Sequence, residues 1–154
     1  MKIAIVAIGR LPRSPEADLV KLYADRATAA GRALGLGPVE VIEVESRKPG
    51  KAAEAEALRP HLEGAHLIAC DEHGMARPSR AFAAEIARLR DDGVRRLAFV
   101  IGGADGLDPA LLEEARGKLA FGPQTWPHAL ARAMLAEQVY RAVTILSGSP
   151  YHRD

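Results

Sequence analysis

The chain has 154 residues, of which 48% are hydrophobic, 27% charged and 5% aromatic, with a formal net charge of +1. That length suits one domain with a proper core, filled mainly by alanine and branched aliphatics. Near neutrality excludes a strong global field, so any nucleic-acid binding must rest on local basic patches. The single cysteine, Cys70, excludes an intramolecular disulfide. No stretch approaches the roughly 20 apolar residues of a membrane span, and no cleavage pattern follows the short apolar start. A reducing cytoplasm is the expected compartment.

The elements follow in chain order. Ile3 to Ile8 is apolar and β-rich, and it ends at Gly9 as a buried strand should. Ser14 then offers an N-cap, with Pro15 at the first helical position and Glu16 and Asp18 in the first turn. Leu19, Leu22 and Tyr23 anchor the expected apolar face of that helix, continued by Arg26, Ala30 and Leu34. Val39 to Glu45 reads as a second strand, and its alternating glutamates suggest an edge. The basic loop Ser46 to Lys51 precedes a helix rich in alanine and glutamate that runs to about Glu63. A third strand ends near Asp71, and Ser79 is the expected cap of a helix from Arg80 to Arg90. "RRLAFVIGG" is the fourth strand, and Asp108-Pro109 opens a helix to about Lys118. "LAFGPQTW" is a short fifth strand or extended segment, and the last helix covers roughly His128 to Leu146. Regular alternation of strands and helices predicts an α/β fold with a largely parallel sheet.

In such sheets ligands bind beyond the carboxyl ends of the strands. Three loops lie there: after Asp71, after Gly103 and after Phe121. The second, "IGGADGLDP", has no lysine to reach a phosphate, and Asp105 would repel one. Two readings stay open for its glycines. One is a strand-to-helix turn needing positive φ; the other is close backbone approach to a flat, neutral ligand such as adenine. In the third loop, Gly122, Pro123 and Pro127 stiffen a segment that presents backbone groups either to a ligand or to a buried connection. Trp126, the only tryptophan, is by residue type a core side chain before it is a ligand wall.

The last helix carries Ala131, Leu135, Val139, Ala142 and Leu146 on one stripe, which suits either a homodimer contact or core packing. The tail "SPYHRD" gathers a phenol, an imidazole and a guanidinium at Tyr151, His152 and Arg153. Histidine moves protons near neutrality and arginine grips phosphate, although a solvated tail remains the plain alternative. The five histidines lack metal-ligand spacing, and one cysteine cannot build a zinc site. Cys70 sits in an apolar strand, where an inert thiol is expected.

Several of these segments together resemble the RlmH family of bacterial rRNA methyltransferases: "MKIAIVAIGR", "SRKPGK", "IGGADGL", "PHALARAMLAEQVYRA" and the terminal "SPYHRD". The resemblance spans the whole chain. It implies a single SPOUT-type α/β domain over residues 1–154, a mostly parallel sheet flanked by helices, and a C-terminal trefoil knot. It implies a homodimer, S-adenosylmethionine as methyl donor, and no metal. The implied activity is methylation of N3 of a pseudouridine in 23S rRNA on assembled ribosomes. Matched residue by residue, the cofactor positions are Cys70, Asp71, Gly103, Gly122, Pro123, Gln124, Thr125, Trp126 and Pro127, and the catalytic ones are Tyr151, His152 and Arg153. Asp154 stands where the family often has glutamate. Arg10, Arg13, Arg47, Lys48 and Lys51 are the expected phosphate contacts. A tRNA-directed SPOUT enzyme and a non-catalytic ribosome-associated nucleotide-binding module are the rival readings.

Overall fold

In the computed structural model, residues 1–153 are described; Asp154 of the tail motif lies outside them. The strands are β1 (Lys2–Ile8), β2 (Val39–Val44), β3 (His66–Ala76), β4 (Arg96–Ile101) and β5 (Gly117–Ala120). The helices are α1 (Pro15–Gly31), α2 (Lys51–Leu62), α3 (Ser79–Asp91), α4 (Pro109–Glu114) and α5 (His128–Ser147). The five strands form one sheet in the order β2-β1-β4-β3-β5, and every pairing is parallel.

Alternation within β1 shows how the layers are filled. Ile3, Ile5 and Ala7 join a core with Ala24 and Ala27 of α1, Phe82 and Ile86 of α3, and Leu135 and Val139 of α5. Ala4, Val6 and Ile8 point the other way, into a core with Leu58 of α2 and Leu111 of α4. A strand buried on both faces reads as a continuous apolar run, which is why β1 and β4 carry no polar alternation. The glutamate-bearing β2 takes the sheet edge as anticipated.

Local caps behave as their chemistry dictates. Ser14 Oγ accepts from Ala17 N at 3.2 Å, and Asp108 Oδ1 accepts from Ala110 N at 2.9 Å. Ser79 does not cap α3: it is already inside the helix, behind Pro78, and its hydroxyl donates to Gln138 Oε1 of α5 at 2.8 Å.

Three expectations are corrected by tertiary contacts. First, α1 buries Val20, Ala24, Ala27 and Gly31, leaving Leu19 and Leu22 about 40% exposed. Small residues win that face because α1 packs closely on α5 and because Gly31 abuts the next turn, where a Cβ would stand 2.5 Å from Leu36 O. Second, α4 stops at Glu114 rather than near Lys118, because β3 offers a pairing edge to Gly117 and Lys118. Third, Leu135, Val139 and Ala142 are fully buried within the chain's own core. The middle of the α5 stripe is therefore core packing, while Ala131 and Leu146 at its two ends are half-buried.

Candidate functional site

The strand β3 does not end near Asp71. It runs on to Ala76, with a register shift against β5 between Cys70 and Met75. Such an irregularity throws the intervening residues out of the ladder. Here it carries Asp71 and Glu72 into a cleft at the carboxyl ends of the adjacent strands β4, β3 and β5. The cleft has a volume of about 250 Å³. Cys70 and Asp71 line it from β3, Ile101 to Gly106 from the β4 loop, and Leu119 to Gly122, Gln124, Thr125 and Trp126 from the β5 loop. His128 and Ala131 close it from α5. Pro123 and Pro127, named with the third loop, bracket the segment but are absent from the described lining.

The glycines have distinct jobs. Gly106, not Gly102 or Gly103, has positive φ, at +81°. Its N–H donates to Gly103 O at 3.0 Å and closes the turn. A Cβ at Gly102 would lie 2.7 Å from the Gly106 backbone, so the turn itself excludes a side chain there. At Gly103 the atoms nearest a Cβ belong to the far end of the Glu54 side chain, with Oε1 at 2.7 Å. Gly103 thus leaves bare backbone on the cleft wall with a carboxylate beside it.

Charge in the cleft is one-sided. Asp71, Glu72 and Asp105 line it, against the single imidazole of His128, and no Lys or Arg is among the described lining residues. Asp71 Oδ1 accepts from His73 N at 2.9 Å, which fixes the bulge. Burial first, and then the Asp71 charge, push the Cys70 thiol up to about 12, so it is an inert wall. Trp126 is 42% exposed, contrary to its expectation as core; its indole donates to Phe121 O at 3.1 Å and braces the loop. Among the described residues, no group of three or more His, Cys, Asp or Glu side chains gathers as metal ligands.

The tail residues do not line this cleft. Tyr151 and His152 fold back on α5 of their own chain. The Tyr151 hydroxyl donates to Glu137 Oε1 at 3.0 Å, and its ring sits 4.8 Å from that of Tyr140. The Arg141 guanidinium lies 4.9 Å from the Tyr151 ring centroid, with Nη1 3.2 Å from His152 Nδ1. Arg141 Nε and Nη2 donate to Glu137 Oε1 at 2.9 and 2.5 Å. Burial, then hydrogen bonds with Tyr23 and Glu137, raise Tyr151 well above the usual phenol range, so it keeps its proton. Arg153 is exposed. Glu137 also lines a second cavity, of about 470 Å³, whose wall shares Leu119 to Gly122 with the cleft.

Sequence reasoning missed Glu72, Asp105 as a cleft wall, His128, Glu54, Glu137 and Arg141. The Glu137–Arg141 spacing, one helical turn, announces an ion pair but not its service to the tail.

Residues 1–152 match the family model described as "Predicted SPOUT methyltransferase". The chain belongs to the SPOUT methyltransferases. Within that family it is 83% identical over 154 residues to a protein of Phenylobacterium zucineum (strain HLK1), covering all of both chains. It is 74% identical over 154 residues to one of Caulobacter sp. (strain K31), again covering all of both. Both relatives are named ribosomal RNA large subunit methyltransferase H, which places this chain in that branch. In fold it is similar to a probable methyltransferase from Bordetella pertussis Tohama I, with a TM-score of 0.53 at 20% identity, covering 92% of this chain and 96% of that one. The parallel five-stranded sheet flanked by helices is thus a SPOUT fold.

No helix among the described residues is long and apolar enough to cross a membrane. The basic residues Arg10, Arg13, Arg47, Lys48 and Lys51 are all exposed. They follow β1 and β2, which in a parallel sheet puts them at the same end as the cleft.

Proposed function

We propose that this chain, as one domain with its C-terminal third threaded in a trefoil knot, works in the cytoplasm as a homodimer. In that form it methylates N3 of a pseudouridine in 23S rRNA on the assembled ribosome. The names of its close relatives support ribosomal RNA of the large subunit as substrate. The pseudouridine N3 comes from the motif resemblance. The observation that carries the reading is the cleft itself: bare glycine backbone and three carboxylates, without a lysine or arginine in its described lining. That chemistry suits a cationic, adenosine-bearing donor and repels a phosphorylated one.

S-adenosylmethionine supplies a methyl group already activated on a sulfonium. The chain then has two tasks, alignment and handling of the N3 proton. Gly103 and Gly122 let backbone approach the adenosine, and Asp71, Glu72 and Asp105 match the positive charge. Cys70 and Trp126 supply apolar wall, while Gln124 and Thr125 face the donor from the third loop. Pro123 and Pro127 hold that loop in shape.

Tyr151, His152 and Arg153 act on the acceptor base. Because Tyr151 and His152 stay on α5 and not in their own chain's cleft, the tail of one copy serves the cleft of the other. The exposed Met75, Trp126 and Leu130, the last on α5, form the candidate dimer face. The basic loops at the cleft end contact rRNA phosphates, and near-neutral charge makes shape recognition of the ribosome dominant.

The test is incubation with methyl-labelled S-adenosylmethionine and, separately, ribosomes, free rRNA and tRNA. Label on ribosomes, mapped to N3 of a pseudouridine, is expected. Label on tRNA alone makes it a tRNA enzyme, and donor binding without transfer makes it a non-catalytic module.

A further inference from the structure

The end of the sheet opposite the cleft carries a second hollow of opposite charge. The strands β3, β4 and β5, whose carboxyl ends wall the cleft, frame at their amino ends a depression of about 520 Å³. Its floor is small and open. Gly64, Ala65 and Gly93 line it, and the two glycines, with φ of +69° and +82°, have nothing within 4 Å of where a Cβ would stand. His66, Arg95 and Arg116 supply the polar rim, and no Asp or Glu is among the described lining residues. Cys70, on the cleft wall, lies further along β3, about 13 Å from His66 in the strand direction.

Both guanidiniums are available to a ligand. Arg95 immediately precedes β4 and Arg116 immediately precedes β5, on either side of β3 in the strand order. Strand spacing puts their backbones about 10 Å apart. Both residues are exposed, and neither guanidinium has a hydrogen-bond or ion-pair partner among the described residues. Of the acids nearby in sequence, Asp92 pairs with Arg88 at 3.1 Å, Asp91 with Arg90 at 2.8 Å and Glu114 with Arg59 at 2.6 Å. The Glu63 carboxylate is outside the described lining. Burial first, and then the charge of Arg116, hold His66 below its ordinary value, with Glu85 opposing and Arg88 adding to the effect. The field in the depression is thus positive.

Resting on ribosomal RNA as the substrate, we propose that Arg95 and Arg116 form a second RNA-docking surface, which grips backbone phosphates of rRNA away from the methylated base. A guanidinium meets a phosphate with two parallel N–H donors, and the open glycine floor admits a sugar–phosphate backbone. No Phe, Tyr or Trp is among the described lining residues to stack on a base, so the surface reads charge and shape, not sequence. A chain of net charge +1 draws its RNA affinity from local patches, and an acid-free one contributes most. The chain then touches the ribosome at both ends of its strands. The cleft end presents the donor, and the far end fixes how the enzyme sits.

The test uses the full-length protein and ribosomes. In the double variant Arg95→Gln with Arg116→Gln, KM for ribosomes is expected to rise roughly tenfold, with kcat at saturating ribosomes and donor binding by calorimetry unchanged. The slope of log affinity against log salt, read by co-sedimentation with ribosomes, should shrink by about 1.5, the share of two phosphate contacts. Arg95→Lys with Arg116→Lys keeps both charges and is expected to keep the native slope. An unchanged KM and slope in the glutamine variant, or a fall in kcat in place of the rise in KM, overturns the surface. A crosslink then identifies what the surface touches. Arg116→Cys carries an aryl azide, and the buried Cys70, with its thiol at about 12, leaves the label to the new cysteine. Adducts on 23S rRNA are expected, and adducts confined to ribosomal proteins overturn the RNA assignment. The function fails separately: ribosome binding by the native protein without methyl transfer overturns the activity, while the salt slope and the crosslink still decide the docking surface.

Discussion

The cleft draws its walls from three adjacent strand ends, whereas the tail is held by side chains of α5: Glu137, Tyr140 and Arg141. The cleft is acidic and glycine-rich, and its shape depends on the register of β3 against β5. The tail is rich in donors and depends on a few hydrogen bonds and a stack of tyrosines. One region is made by the fold and the other is added to it. Changes that spare the sheet should therefore separate donor binding from transfer.

The widest contrast lies at the cleft floor. With its thiol at about 12, Cys70 should alkylate at pH 8 on the order of a thousandfold more slowly than a free thiol. The raised value means that the thiolate is scarce below about 12, so the rate should climb about tenfold per pH unit through pH 11. Fast labelling at pH 8, followed by mass spectrometry, would show the floor open. Removal of the tail after Pro150 comes next. Transfer to ribosomes should drop by roughly a hundredfold or more, with donor binding by calorimetry unchanged. Loss of both together would erase the distinction between the regions.

Gly103→Val strikes the other side of the comparison. Its backbone φ is not positive and the atoms nearest a Cβ belong to the flexible end of Glu54, so the fold should survive. Donor affinity should fall by about tenfold or more, about 1.4 kcal/mol. Gly102→Val, which meets backbone, should instead cost about 1–3 kcal/mol in denaturant unfolding. An unfolded Gly103→Val would show that the turn, and not the ligand, demands that glycine. The smallest effect belongs to Tyr151→Phe. It keeps the ring stack and removes the hydroxyl's hydrogen bonds with Glu137 and Tyr23, about 0.5–1.5 kcal/mol each, so a several-fold slower transfer is expected in single-turnover kinetics.

Much of this frame is legible in the residues. The apolar runs of β1 and β4, the caps Ser14 and Asp108, and the edge position of β2 follow from local chemistry. The three loops at the strand ends follow from the topology those elements imply. What escaped is what distant segments decide. Leu19 and Leu22 look like a helix face until the close approach of α5 selects alanines instead. Asp71 and Glu72 enter the cleft through an irregularity that no single strand encodes. Trp126 looks like core but braces an exposed loop. The tail reads as chemistry on its own, yet Glu137 and Arg141, which orient it, lie in the middle of an ordinary amphipathic helix.

The division of labour between copies is the central claim, and mixing two damaged chains tests it. One chain ends at Pro150 and keeps its cleft; the other carries Gly103→Val and keeps its tail. Each alone should transfer methyl groups to ribosomes poorly. Unfolded and refolded together, they should form mixed dimers in which an intact tail meets an intact cleft, and transfer should return to a sizeable fraction of the native rate. Mixed dimers that stay as inactive as their parents would contradict a tail that serves the partner's cleft.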